Sequence, residues 1–293
     1  MPMVSQEYQT LVLDDLAAYD GLVHPVKASL PERVLRRRLP LTMIHPNPID
    51  EFCDPKIGPS YSVISRYEAE WRKALQHHQD PELESLYVEK LSSGEFRLLD
   101  GHHRWMAAHR LGFRSFKVRI LNVTPVDEIV SAVARSERRL CVSFDLDEVL
   151  LTDGGSAAAD GRMPMRTGCF KGKTLRKNAE LLIEELHRAG CDVWVYTGSY
   201  IEEADLRRLL RAHRAEADGI VSGLKHPQSR EKLRRAFSEK YELSLHIDTE
   251  SIVCVDTRTK EYEVAEIAGD EIGWAARAIG AVKRLERLQG RAG

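Results

Sequence analysis

Cys141-Val142-Ser143-Phe144-Asp145-Leu146-Asp147-Glu148-Val149-Leu150-Leu151 is an apolar, β-prone run broken by two carboxylates at i and i+2. It is followed at once by the loop signal Thr152-Asp153-Gly154-Gly155. Side chains at i and i+2 of a strand share a face. The run therefore predicts a buried strand that presents Asp145 and Asp147 on one side, where strand gives way to loop. Such a pair suits a divalent cation and a phosphate: one carboxylate attacks phosphorus while its neighbour handles the leaving-group proton. An isolated D-x-D more often just ends a buried strand, so the weight falls on what the rest of the chain supplies.

Downstream, residues 156–173 are rich in Ala, Gly and small polar residues and read as a flap over the site. The spacing of Leu175, Ala179, Leu182, Ile183 and Leu186 predicts an amphipathic helix over 174–189, ended by Gly190. Asp192 to Tyr196 reads as a buried strand, and Thr197-Gly198-Ser199 after it offers a phosphate-binding hydroxyl with an adjacent backbone N–H. A helix over 202–214, a strand over 219–223, Lys225, a charged helix over 228–240 and a strand over 243–250 carrying Asp248 follow in order. Alternating strand and helix argues for a doubly wound sheet. Ile252 to Asp256 is the more apolar strand, so Asp256 competes with Asp248 as the late acid. The spacing after Lys225 leaves room for one helix and one strand and favours Asp248, which makes 252–267 a hairpin at the sheet edge. A last helix over 270–288 carries Ile272, Ile279, Val282 and Leu285.

Upstream, residues 1–22 read as a short helix or arm. Leu39 to Pro48 predicts a short strand stopped by Pro46 and Pro48, with Asp50 and Glu51 just beyond, and 62–77 is helical in pattern. Leu86–Lys90 and Glu95–Leu99 flank Ser92-Ser93-Gly94 as strand, turn and strand. Asp100-Gly101-His102-His103-Arg104 then leads into a short helix closed by Gly112, and Phe116–Leu121 is a further strand. A glycine-containing junction between strand and helix favours an anion, because backbone N–H groups and the helix dipole point the same way.

The 293 residues suit two domains. A hydrophobic fraction of 43%, a charged fraction of 30% and a net charge of −2 are ordinary for a soluble globular chain and give no overall pull toward nucleic acid or anionic membrane. Five scattered cysteines without metal spacing predict a reduced, cytoplasmic protein. No apolar run is long enough to span a bilayer, and the N-terminus lacks a secretory pattern.

Over 35–122, the order strand, turn, strand, D-G-H-H-R, short helix, L-G and strand, preceded by Ile44-His45-Pro46-Asn47-Pro48, resembles the ParB/sulfiredoxin-like domain. The cysteine that sulfiredoxins carry beside their His-Arg pair is absent, and the loop is nearer to the free serine kinase branch. The resemblance implies a smaller α+β domain that binds ATP or another nucleotide through Asp100, Gly101, His102, His103 and Arg104. It also implies a glutamate base before the phosphate loop, for which Glu51 is the candidate and Asp50 the second choice.

Over 139–255, Asp145-Leu146-Asp147-Glu148-Val149-Leu150, Thr197, Lys225 and Asp248, each after its own strand, resemble the haloacid dehalogenase (HAD) phosphotransferases. That resemblance implies a Rossmann-like, doubly wound parallel sheet and Mg²⁺. Asp145 would be nucleophile and metal ligand, Asp147 acid/base and a second metal residue, Thr197, Gly198 and Lys225 phosphate holders, and Asp248, or Asp256 in its place, a further metal ligand. The expected organisation is an arm (1–22), a ParB/sulfiredoxin-like domain (23–124), a helical linker (125–138) and a HAD-like phosphatase domain (139–293). The expected partner is a small phosphorylated metabolite or nucleotide, with no membrane. The contrasting reading is a nucleotide-switched DNA-binding or partition-like module with a degenerate HAD domain, which the near-neutral charge and the retained pair of acids disfavour.

Overall fold

The computed structural model describes residues 6–19, 23–77, 81, 83–161, 170, 172–224, 227–247, 251–256, 260–266, 273–276, 278–280 and 283, with only the backbone described over 251–266. The chain divides into two compact units, Met1–Val123 and Thr124–Gly293.

In the first unit, α1 (Gln6–Tyr8) and α2 (Asp14–Tyr19) are joined by a wide helical turn, Gln9–Leu13. This N-terminal segment is anchored rather than loose, because Tyr8 and Val12 are buried in the unit's core. The short helix α3 (Leu30–Leu35) is closed by a reciprocal Ser29/Glu32 capping box. Where one strand is predicted over 39–48, Pro40 divides the segment into β1 (Arg38–Pro40), a 3₁₀ turn over Leu41–Met43 and β2 (Ile44–His45). The remaining elements are α4 (Tyr61–Gln76), β3 (Leu86–Lys90), β4 (Phe96–Asp100), α5 (His102–Arg110) and β5 (Ser115–Ile120). The sheet order is β1-β5-β3-β4-β2, with β1–β5 and β3–β4 antiparallel and β3–β5 and β2–β4 parallel. Trp71 of α4 is fully buried against Phe113 and Phe116, and α5 contributes Trp105, Met106, Ala107 and Ala108 to the same core.

The second unit begins with α6 (Val126–Arg135). Its Ile129 and Val133 share a core cluster with Leu233 and Phe237, so the predicted linker helix is part of this unit's packing. After β6 (Leu140–Asp145) come a wide helical turn over Leu146–Leu150, β7 (Leu151–Asp153), β8 (Lys173–Leu175), α7 (Ala179–Arg188), β9 (Cys191–Thr197), α8 (Glu203–Ala212), β10 (Gly219–Ser222), α9 (Pro227–Lys240), β11 (Leu243–Ile247), β12 (Ser251–Asp256) and β13 (Lys260–Glu266). Leu175, expected on the helix that follows, belongs instead to β8, which pairs antiparallel with β7.

The main sheet has the order β10-β9-β6-β11-β12-β13. Its first four strands are parallel, and β12 and β13 form the antiparallel edge hairpin that the sequence predicts. Residues alternate between two cores. Val142, Phe144, Val193 and Val195 pack with α7 and α8, while Cys141, Trp194 and Val221 pack with α6 and α9. Helices on both faces of a mostly parallel sheet make this unit an α/β, doubly wound fold. The chain runs outward from β6 to β9 and β10, then returns to β11 on the other side of β6. The order reverses between β6 and β11, where ligands of open α/β sheets bind. Cys53, Cys141 and Cys191 are buried, and burial pushes the pKa of the Cys53 thiol up to about 12. Among the described residues no helix is long and apolar enough to cross a membrane.

Candidate functional sites

In the second unit the register fixes the site. Asp145 lies opposite Tyr196, Thr197 opposite Ser222, and Ile247 opposite Phe144. Asp145, Thr197 and the carboxyl end of β11 at Ile247 therefore lie at one edge of the sheet. Asp147 reaches this edge by a route other than the predicted one. The strand stops at Asp145, whose Oδ1 accepts a hydrogen bond from the Glu148 N–H (2.8 Å) and so caps the Leu146–Leu150 turn. Leu146, Val149 and Leu150 are buried by that turn, which explains the long apolar run, and Asp147 stays exposed. Thr197 Oγ1 donates to Asp147 Oδ2 at 2.6 Å and accepts from the Ser199 N–H at 3.0 Å.

Lys225 and Asp248 lie outside the described residues. Asp256 is placed by its backbone opposite Leu243, which pairs with Leu140 at the amino end of β6. Five residues of strand, about 16 Å, separate that end from Asp145, so Asp256 is corrected as a metal candidate. Among the described residues no three His, Cys, Asp or Glu side chains are grouped to hold a metal. The acids at the carboxyl edge nevertheless form an oxygen-only donor set, which fits Mg²⁺ better than softer metals.

Two features beside this edge are not legible in the sequence. A cavity of about 600 Å³ opens next to Asp145, Thr197 and Gly198 and runs between the sheet and α9. Farther off, Asp160 Oδ2 is hydrogen-bonded to His213 Nδ1, and Thr174 Oγ1 donates to Asp160 Oδ1 at 3.0 Å. An acid, an imidazole and a hydroxyl suggest nucleophilic chemistry, but Thr174 is fully buried. This cluster fastens β8 and the segment around Asp160 to the end of α8.

In the first unit the loop after β2 folds back onto the start of α5. Gly101 has φ +100° and precedes the helix with no side-chain cap. The helix begins at His102, three residues earlier than the apolar pattern suggests. The first intrahelical bond runs from Trp105 N–H to Gly101 O, so the N–H groups of His102, His103 and Arg104 belong to the first turn, where an anion is favoured. The three side chains have different duties. His102 is 4% exposed; its Nε2 accepts from the Asn47 N–H at 3.2 Å and its Nδ1 lies 3.5 Å from Asp50 Oδ2. Arg104 pairs with Asp100 (2.9 Å) and Glu84 (2.8 Å) and donates to Ser85 O, so its charge is spent within the unit. His103 Nε2 accepts from the Ser60 N–H at 3.0 Å. Phe52 packs against both imidazoles.

Glu51 is exposed, and the carboxylate that meets the histidines is Asp50, which also caps its own short turn through Oδ1 to the Phe52 N–H. Of the two candidate acids, Asp50 is the one beside His102. A 3₁₀ turn over Glu51–Cys53 sends neighbouring side chains in different directions, which position along the chain cannot reveal.

Burial lowers the pKa of His103 below 6.5, against an opposing pull from Asp50, and burial likewise lowers that of His109, against Asp15. Both contributions to stability are complete above the unfolded value of 6.5 and are lost as pH falls through the folded values, because the unfolded chain binds the protons first. Unfolding free energy measured by urea titration is expected to decline from pH 7 toward pH 5. His103→Gln should reduce that slope by up to one proton; an unchanged slope would remove His103 from the account.

No protein-family model and no curated protein matches the chain. Among solved structures it is similar to the C-terminally truncated chromosome-partitioning protein ParB from Caulobacter crescentus complexed with CTP-gamma-S, at 19% identity over 35% of this chain and 55% of that one (TM-score 0.25). The same protein complexed to the centromeric parS site matches at 18% identity over 34% and 49% (TM-score 0.23). A putative 3-deoxy-D-manno-octulosonate 8-phosphate phosphatase from Vibrio cholerae matches at 16% identity over 44% and 63% (TM-score 0.24). The chain thus spans about half the length of the ParB chains it matches. Overlaps this slight leave the fold class resting on the strand order and register described above.

Proposed function

We propose that the second unit is an Mg²⁺-dependent phosphomonoester hydrolase working through an aspartyl-phosphate. The observation that carries this reading is the meeting of Asp145, Asp147 and Thr197 at one carboxyl edge, with the Thr197 hydroxyl 2.6 Å from Asp147. Asp145, half-buried at the end of β6, attacks phosphorus; the bond to the leaving oxygen breaks, and Asp147 delivers the proton to that oxygen. Water then cleaves the acyl phosphate with Asp147 taking its proton, which returns Asp145 as carboxylate and releases inorganic phosphate. Thr197 and the Gly198 backbone position the phosphoryl oxygens, and Lys225 opposes their charge. Asp145 and Asp248 would hold the Mg²⁺, which when bound offsets the charge of the transferring group. Release of phosphate from p-nitrophenyl phosphate that requires Mg²⁺ and stops with excess EDTA is the expected result; metal-independent release would sink the reading.

The first unit is proposed to bind a nucleotide's phosphates at the start of α5, through backbone N–H groups and His103, with ATP the first candidate. Phosphoryl transfer to a small alcohol such as serine is the activity this arrangement supports, with Asp50 rather than Glu51 as base. If so, Asp50→Asn lowers turnover of ATP, ADP or CTP with serine by about 10²-fold or more, in the range of general-base effects. Glu51→Gln leaves it within twofold. The opposite pattern would restore Glu51.

A further inference from the structure

The cavity beside Asp145 owes its existence to a pattern within β6 and β11. On the face toward α7 and α8 these strands carry Val142, Phe144, Leu245 and Ile247, all buried. On the face toward α9 they carry Ser143, Ser244 and His246, and α9 does not fill the space above them. The cavity extends from Asp145 and Thr197 back to Ser244 and Ser238. Ser244 is level with Cys141, so it runs four residues, about 13 Å, along the sheet. That length spans a phosphate, a pentose and a base end to end.

Its walls are sorted by chemistry. Tyr196, Phe237 and His246 supply three rings, with the Tyr196 centroid 6.1 Å from Phe237 and 6.0 Å from His246. Ser143 Oγ lies 2.9 Å from His246 Nδ1, and Arg230, Glu231 and Arg234 of α9 make the opposite rim charged, with Arg234 paired to Glu231 at 2.7 Å. A volume of about 600 Å³ is in the range of sites for nucleotide-sized ligands. A phosphorylated amino acid or sugar would leave most of it empty and set hydroxyls against the rings. The cavity also adjoins the place between β6 and β11 where the strand order reverses.

We propose that this cavity seats the base and sugar of a nucleoside monophosphate whose phosphate lies at Asp145. The assignment rests on the phosphatase reading for the role of the phosphate and on the cavity alone for the rest. The test uses the intact chain with Mg²⁺, adenosine monophosphate, a short 5′-phosphorylated oligonucleotide and phosphoserine, and reads both hydrolysis and equilibrium binding by calorimetry. Ser238 suits the blocking variant: it is half-buried on α9 and its hydroxyl donates to Arg235 O of its own helix.

Wild type is expected to hydrolyse the nucleoside monophosphate with kcat/KM at least tenfold above phosphoserine. Ser238→Phe should erase that advantage and the calorimetric binding while leaving phosphoserine within twofold. Preference for the oligonucleotide over the free nucleotide would support the same base-and-sugar site and place it at a polymer end. Equal kcat/KM for the mononucleotide and phosphoserine, or binding undiminished in Ser238→Phe, overturns the proposal. Should no ester be hydrolysed while the nucleotide binds wild type and not Ser238→Phe, the phosphatase reading fails and the cavity assignment stands.

Discussion

Asp145→Asn is expected to reduce Mg²⁺-dependent phosphate release by about 10⁴-fold or more, the scale of losing a covalent nucleophile. The substitution isolates chemistry from folding. The structural duty of Asp145 is to accept the Glu148 N–H at the head of the turn, and an asparagine oxygen accepts that bond nearly as well. The stability cost should stay under about 1 kcal/mol, and the position of Asp147 against Thr197 should persist. What changes is charge and nucleophilicity at one atom pair: an amide does not attack phosphorus, and its neutral oxygen holds a divalent cation more weakly than a carboxylate does. A variant that keeps both its thermal midpoint and more than a tenth of its activity would remove Asp145 from the mechanism. Asp147→Asn is expected to be milder, about 10² to 10³-fold, and to depend on the leaving group, since good leaving groups need no proton.

The second large effect is structural. Gly101→Ala should destabilise the first unit by about 2–4 kcal/mol, combining the cost of a left-handed conformation with overpacking. Gly101 has φ +100°, and a Cβ there would stand 2.7 Å from Leu86 Cδ2 and 3.1 Å from the Arg104 guanidinium. Neither neighbour yields easily. Leu86 is fully buried in β3, and Arg104 is fastened to Asp100 and Glu84. Gly94→Ala is the control, because Gly94 also has a positive φ, +90°, but nothing lies within 4 Å of its added Cβ. It should cost only about 1 kcal/mol. Urea unfolding followed through Trp71 and Trp105 separates the two, and equal losses would show that the tight packing under the junction carries no weight. Where Gly101→Ala still folds, nucleotide affinity should fall because the start of α5 is displaced.

The two halves of the sequence are legible to different degrees for physical reasons. Strand and helix alternation through the second half is written in burial periodicity. Val142, Phe144, Val193 and Val195 face one core while Cys141 and Trp194 face the other, and only a sheet covered on both sides needs apolar residues at consecutive positions. The edge hairpin could be read from spacing instead, because the distance after Lys225 leaves room for one helix and one strand before it. Pro40 is the counterexample, since a single proline divided a segment whose hydrophobicity alone suggested one strand. The run after Asp145 is the other: Leu146, Val149 and Leu150 are as apolar as a strand but bury themselves in a turn.

By itself, then, the sequence determined the α/β class, the order of the elements, the glycine junction at Gly101 and the arrival of Asp145 and Thr197 at strand ends. Only the tertiary structure decided that Asp147 joins them through a capped turn, that Asp50 displaces Glu51 beside the histidines, and that Arg104 is spent on Asp100 and Glu84. It also decided that Asp256 falls at the far end of the sheet and that Ser143 and Ser244 leave a cavity under α9. Periodicity along a chain reports which side of an element is buried, because burial acts on each residue separately. Partnership between side chains dozens of residues apart depends on register and on the direction of turns, which many distant contacts set together.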